Sequence, residues 1–313
     1  GNQPVTLTAF GIDDARVMNK LIEEYQKVRP NVKIIYQQFE EVGYEKNLVN
    51  ALAGGTGPDL MMIGSDWVTK HQNKLAPADA AQLSPKTAEE LFPKGVVQDY
   101  AREGKIYALP LYFDTMALFY NKETFDAKGI PFPPKTWQEF VTLIPTLKET
   151  NEVNQITKPA AAIGGTKGTI AHMSDLLGLI FLQSGNAIVG EQKRIVLADK
   201  AGARSLEFYL QFANPQNQSY TWNENLGASI DSFASGKTAM IFGYAEDRGV
   251  IKNKNPFLDF GISSVPQFER AQPITVARYW GLGVSSQSRN ASWAWDFIMH
   301  ATTNMAISEQ YLQ

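Results

Sequence analysis

Acids set beside aromatic side chains at polar turns are the residues of this chain best equipped for chemistry. Ser65, Asp66 and Trp67 close the apolar stretch at residues 60–63, and Asp13 stands with Asp14 just after the apolar stretch at 5–10. Tyr244, Glu246, Asp247 and Arg248 follow a further apolar stretch, and Arg278, Tyr279 and Trp280 run directly into Gly281. Asp114 is a lone acid within residues 111–120, an otherwise largely apolar and aromatic run. Burying an unpaired carboxylate is costly, so Asp114 is expected either at a binding surface or in a structural ion pair. Carboxylates accept hydrogen bonds, guanidinium and hydroxyl groups donate them, and flat rings cover apolar faces. Together they suit the holding of a polar solute more than the breaking of a bond.

Catalytic sets lack parts. The chain has no cysteine, which removes thiol catalysis, thiolate metal sites and disulfides. Its three histidines, His71, His172 and His300, come without a spaced acid cluster, so metal and triad chemistry are incomplete. A saccharide-active hydrolase would need two paired carboxylates, and the many acids here show no spacing that pairs them. Ser235, Gly236, Lys237 and Thr238 invite a phosphate-loop reading, but Asp231 stands where that loop needs its first glycine. The local order is also helix, turn, strand, the reverse of a phosphate loop. No cofactor and no metal are expected.

The elements that must position these residues form two groups. At 313 residues the chain exceeds one ordinary core, and two domains are expected. An apolar fraction of 44% with 19% charged residues is that of a globular chain, and a formal charge of -3 gives no reason to expect nucleic acid. No apolar run reaches the ~18 residues of a membrane helix. The first residues, GNQPVTLTAF, carry neither a basic start nor an apolar stretch with a cleavage site, so a signal segment is read as absent or already removed.

Residues 5–10 read as a strand ending at Gly11, followed by a helix carrying Val17, Met18, Leu21, Ile22 and Tyr25 at helical spacing. A second strand at 32–36 and a helix at 44–53, closed by Gly54 and Gly55, repeat the pattern, and a third strand occupies 60–63. Strand–helix alternation predicts a parallel sheet with its binding loops beyond the carboxyl ends of the strands: 11–14, 39–41 and 65–67. Trp67 is there either a binding platform or a core tryptophan opening a helix at 67–72. Residues 104–122, GKIYALPLYFDTMALFYNK, read as two short strands broken at Pro110. Thr136 and Glu139 form a capping box for a helix at 137–148. A strand at 160–163, helices at 174–184, 198–212 and 293–300, and strands at 238–242, 260–266 and 279–284 complete the reading.

Five motifs occur in order along almost the whole chain: Ala53 and Gly54 followed by Gly57, Pro58 and Asp59; residues 104–110 followed by Tyr120, Asn121 and Lys122; Gly129 with Pro134, Thr136, Trp137 and Glu139; Phe233, Gly236, Lys237, Ala239 and Met240; and Gly281, Gly283 and Val284 with Trp295 and Phe297. In this set the chain resembles the extracellular solute-binding proteins of ABC importers, of the maltose-binding-protein type (family 1). The resemblance implies an α/β, two-lobed periplasmic-binding-protein fold of the class II type. Each lobe would be a mixed, mainly parallel sheet flanked by helices, with crossings near 111–114, 264–267 and 301–304. The lobes would be 1–112 with 267–301, and 113–266 with 302–313, closing on ligand by hinge motion. Family members usually continue for several dozen residues beyond the point matching Tyr311, so the second lobe is expected to be short at its C-terminal side.

The same resemblance implies a solute receptor, not an enzyme, that takes a sugar or oligosaccharide into the interlobe cleft. Sugars are recognised by aromatic faces over C–H patches and by acids, amides and guanidinium groups on hydroxyls, which matches Ser65, Asp66 and Trp67, with Asp13 nearby. Asp114 falls where the family places a cleft-facing polar residue at the crossing, and Tyr244, beside Glu246, where it presents a stacking aromatic. Arg278, Tyr279 and Trp280 are implied either as a closing loop or as a packed aromatic pair. Asp175, after His172 and Ser174, is a ligand contact or part of a helix N-cap. Trp222, in QSYTWNEN, is a candidate platform. The implied partners are a small-molecule solute and the membrane subunits of an importer. The implied state is a monomer, periplasmic or extracellular, with lipoprotein tethering before processing as one route. A ligand-sensing domain for a non-sugar solute is the alternative.

Overall fold

The computed structural model describes residues 3–81, 83–185, 200–269 and 272–303. They divide into two compact units: residues up to Phe113 together with those from Arg278 onward, and Asp114–Ala277. The sequence expectation puts the second boundary at 266/267, whereas residues 267–277 group with the second unit here. Gln267 exchanges backbone hydrogen bonds with Lys135 and Trp137, and the Val276 carbonyl accepts the Met116 N–H. The crossing expected near 301–304 and the second-lobe segment 302–313 fall largely outside the described residues.

The first unit opens with β1 (Val5–Gly11), α1 (Ala15–Val28), β2 (Val32–Gln38), α2 (Tyr44–Ala53), β3 (Leu60–Gly64) and α3 (Trp67–His71). It continues with β4 (Leu75–Ala76), α4 (Pro85–Leu91), α5 (Lys94–Tyr100), β5 (Ala101–Arg102) and β6 (Lys105–Ile106), and leaves along β7 (Ala108–Thr115). β1 pairs in parallel with β2 and β3, as the alternation of strand and helix predicts. Every residue of β3 is buried, which a strand covered on both faces requires, and α1 buries Met18, Leu21, Ile22 and Tyr25 against the same sheet.

The break expected at Pro110 does not occur. β7 runs through the proline to Thr115. Among the described residues β7 pairs only with the late strand that returns to this sheet, so it is an edge strand, where the missing proline N–H costs no ladder bond.

The second unit holds β8 (Ala117–Asn121), α6 (Lys122–Ala127), α7 (Trp137–Leu147), β9 (Glu149–Thr150), β10 (Ile156–Lys158), α8 (Met173–Gln183) and α9 (Lys200–Leu210). Then come α10 (Ser229–Ala234), β11 (Met240–Gly243), α11 (Ala245–Lys254) and β12 (Phe260–Ser264). The expected capping box closes: Thr136 Oγ1 accepts the Glu139 N–H at 3.1 Å. A mainly parallel sheet is expected here too, but β11 and β12 both flank β8 antiparallel, and among the described residues only an isolated parallel bridge, Ala161 to Met240, extends them. Residues 160–163 are therefore not the expected strand. The Thr221 hydroxyl accepts the N–H groups of both Ala160 and Ala161, which diverts them from a ladder.

The chain returns to the first unit along β13 (Ala277–Ser285) and ends its described part in α12 (Ala291–Thr303). β13 runs antiparallel to β3, with Trp280 opposite Gly64. Two glycines in β13 make its packing possible: a Cβ on Gly281 would lie 2.5 Å from the Leu109 carbonyl, and one on Gly283 3.0 Å from that of Tyr107. No helix of the described residues is long and apolar enough to cross a membrane.

Candidate functional site

In the first unit the candidate residues converge on one edge of the sheet. β1, β2 and β3 end there, and the antiparallel β13 begins there. Five rings form a continuous line along that edge. Phe10 meets Phe39 with centroids 4.9 Å apart, Phe39 meets Tyr44 at 5.7 Å, Tyr44 stacks on Trp67 at 5.7 Å and 22°, and Trp67 meets the edge of Trp280 at 5.3 Å.

The line has a buried middle and open ends. Tyr44 and Trp67 are buried, whereas Phe10, Phe39 and Trp280 are half-buried. Tyr44 anchors the row: its hydroxyl lies 2.9 Å from the Phe10 carbonyl and 3.2 Å from the Met62 carbonyl, tying the ends of β1 and β3. Gly64 lets the row close, because a Cβ there would fall 2.9 Å from the Trp67 indole nitrogen.

Polar groups surround the row. Asp13 lies in the loop after β1, where the Tyr112 hydroxyl donates to its Oδ1 at 3.3 Å and the Tyr36 hydroxyl to its carbonyl at 2.8 Å. Burial, opposed by the Tyr112 hydrogen bond and reinforced by the charge of Glu41, pushes the Asp13 carboxyl up to about 6. Gly11 makes room for this arrangement: a Cβ would meet the Tyr36 hydroxyl at 2.6 Å. Ser65 is half-buried, and Asp66 is exposed and pairs with Lys70 at 2.9 Å. His71 Nε2 bonds Glu45 Oε1 at 2.8 Å beneath Trp67. Tyr279 faces the other way, buried against Tyr100 with its hydroxyl on Asp99, while Arg278 is exposed.

The second unit carries a network of a different kind. Asp114, its first residue, accepts the Ala245 N–H at the start of α11 at 2.5 Å, and burial raises its carboxyl against the lowering pull of that bond. Tyr244 is buried and donates its hydroxyl to Asp175 at 2.8 Å. Asp247, also buried, accepts the Tyr244 N–H and bonds His172 Nε2, both at 2.8 Å. His172 holds a left-handed backbone, φ 55°, at the start of α8, with its ring edge-on to Tyr244 at 4.9 Å. Ser174 and Asp175 lie inside the first turn of α8 and Glu246 is exposed in that of α11. Trp222 is fully buried and donates its indole N–H to Thr169 at 3.2 Å. Among the described residues no group of three or more histidines or acids is placed to hold a metal.

The family model for bacterial extracellular solute-binding proteins matches residues 12–307. The chain belongs to that family. Among its relatives are the maltotriose-binding protein of Pyrococcus abyssi, 25% identical over 95% of this chain, and the multiple sugar-binding protein of Streptococcus mutans, 23% identical over 94%. This solute-binding chain spans 62% of the length of the first and 70% of the second. The same fold is seen in an ABC substrate-binding protein from Listeria monocytogenes in complex with cycloalternan. The TM-score is 0.74 at 17% identity, over 99% of this chain and 83% of that one.

Within this solute-binding fold, Asp13, Ser65, Asp66, Trp67 and Trp280 gather at one sheet edge, and Asp114, Asp175, Tyr244 and Glu246 gather at the ends of α8 and α11. Trp222 and Tyr279 join neither group: each ring is absorbed by a core and each polar atom by a neighbour. Phe10, Phe39, Tyr36, Tyr44 and Tyr112 complete the first group without having been singled out by the sequence reading. The position of Phe39 in a strand-end loop, and Gly64 directly before the Ser65–Trp67 turn, are the signals that could have found the row.

Proposed function

We propose that this protein is the solute receptor of an ABC importer and that its solute is a sugar or oligosaccharide. The observation that carries the reading is the aromatic row of the first unit, open at Phe10, Phe39 and Trp280 and flanked by Asp13, Ser65 and Asp66. Open ring faces take the C–H side of a sugar while carboxylates and hydroxyls take its hydroxyl groups. The names of the two relatives above, which concern maltotriose and multiple sugars, support the sugar class. In the second unit Asp114 and Glu246 are the polar residues put forward for ligand, with Arg278 from the first. Trp222, Tyr244 and Tyr279 are put forward as structural, because their side chains are buried and hydrogen-bonded. The lobe boundaries, the hinge closure, the monomeric state, a lipid tether and the importer membrane subunits as partners are parts of the same proposal.

A thermal-shift panel of mono- and oligosaccharides, amino acids and polyamines tests it. Ligand at ~100 times its dissociation constant adds about 2.7 kcal/mol to the folded state, so a true solute raises the melting temperature clearly. A shift with saccharides that falls to about half in Trp280→Ala at the same ligand concentration is the expected result. Shifts confined to amino acids or polyamines would replace the sugar reading with a receptor for another solute.

A further inference from the structure

The second unit contains a cavity of about 590 Å³ that none of the groups above uses. Its walls come from the end of β8, from α6, from the β9–β10 hairpin, from the turn between α10 and β11, and from the loop between α11 and β12. That turn is Ser235–Gly236, the glycine motif whose phosphate-loop reading the sequence rejects. Here Gly236 holds a left-handed backbone, φ 76°, and leaves the space above Asn121 open: a Cβ there would lie 3.9 Å from the Asn121 amide nitrogen.

Asn121 is the informative residue. It is 3% exposed. Its Oδ1 accepts the Thr124 N–H at 3.0 Å, and among the described residues its amide NH₂ donates to nothing. The NH₂ is a donor that the described residues do not use, left for a partner from outside the protein. The cavity is the space that this NH₂ faces. In the same lining Glu149 sits between Lys158, at 3.1 Å, and Lys128, at 3.2 Å, and the two ammonium groups hold its carboxyl below the usual range. With Glu123 also in the lining, two cations face two anions, so the cavity has no net attraction for an ion. Phe257 adds a flat apolar face that is 90% exposed, open to be covered by a C–H surface.

We propose that this cavity, walled by Asn121, Lys128, Glu149, Lys158, Gly236 and Phe257, is an accessory binding site for a small neutral polyhydroxylated molecule. A hydroxyl oxygen accepts from the Asn121 NH₂, neighbouring hydroxyls bridge to Glu149 and to the lysines, and a C–H face covers Phe257. The site lies wholly within the second unit and does not depend on the sugar reading of the first.

Proton–nitrogen correlation spectra of the intact protein, titrated separately with D-glucose, phosphate and citrate, test the proposal. Glucose should give saturable shifts of the Asn121 side-chain amide and the Gly236 amide, and these should persist in Trp280→Ala, which addresses the first unit alone. Phe257→Ala should weaken the glucose response about tenfold, the worth of one ring face. Asn121→Asp keeps the oxygen that caps Thr124 and removes the donor, and should weaken it as well, with an unchanged circular dichroism spectrum. Absence of a saturable glucose shift overturns the proposal. So does saturation by phosphate or citrate alone, or a glucose response indifferent to both variants.

Discussion

The two units use the same residue types to opposite ends. In the first, aromatic rings gather where parallel strands end, and the row stays open at Phe10, Phe39 and Trp280. In the second, Trp137, Trp222 and Tyr244 are buried, and their polar atoms are taken by Gln183, Thr169 and Asp175. The difference teaches that an aromatic beside an acid is not by itself a binding site. What decides is whether neighbours have already used the ring faces and the hydrogen-bonding atoms. Strand ends in a parallel sheet leave both unused more often, because the next helix begins some residues away.

Substitutions can break this contrast. Trp222→Ala should cost the most stability, about 3–5 kcal/mol, because it opens a cavity in a closed core and strands the Thr169 hydroxyl. A fall in the urea midpoint of the intact chain would show it, with saccharide affinity of the folded fraction unchanged; a loss confined to affinity would return Trp222 to the binding surface. Asp247→Ala should cost about 2 kcal/mol by the same measurement, since it removes the acceptor of both the Tyr244 N–H and His172.

Trp280→Ala sharpens the contrast from the other side. A half-buried ring at the end of the row should cost little folding stability and weaken saccharide binding about tenfold, as titration calorimetry would read.

The pH dependence of stability is a further test. The Asp13 carboxyl is raised from 3.8 to about 6, so between these values the folded state holds a proton that the unfolded chain releases. Its contribution to stability is therefore favourable at acid pH and is lost as pH rises toward 6. The cost at neutral pH is about 1–2 kcal/mol once its partial exposure is allowed for. Asp13→Asn should flatten the stability profile between pH 4 and 7; a profile unchanged by the substitution would place Asp13 in an ordinary solvated state. The smallest effect is expected at Asp66→Ala, where an exposed pair with Lys70 contributes less than about 0.5 kcal/mol.

Local pattern carried much of the fold. The periodicity of Val17 to Tyr25, the Thr136–Glu139 capping box and the closing glycines after Ala53 all belong to single elements, and each is found where its own residues place it. Residues 160–163 and Pro110 misled because their outcome depends on distant partners: the Thr221 hydroxyl for the first, and the solitary pairing of β7 for the second. Of the candidate site, Trp67 and Asp13 were legible as polar-loop residues at strand ends. Tyr36, Tyr44 and Tyr112 were not, because a tyrosine in a strand or at a helix start carries no local mark of which sheet edge it will reach.

By itself, then, the sequence determined the alternation of elements, the two-unit scale, the absence of thiol chemistry and the ordered motifs of a solute-binding family. These depend on residue type and spacing, which short-range sterics and hydrophobic periodicity translate directly. Only the tertiary structure decided which aromatics are spent on a core and which remain open. Burial and hydrogen-bond saturation are properties of neighbours, and the neighbours of Trp280, Gly64 and Trp67 with Tyr44, stand more than 200 residues apart in the chain.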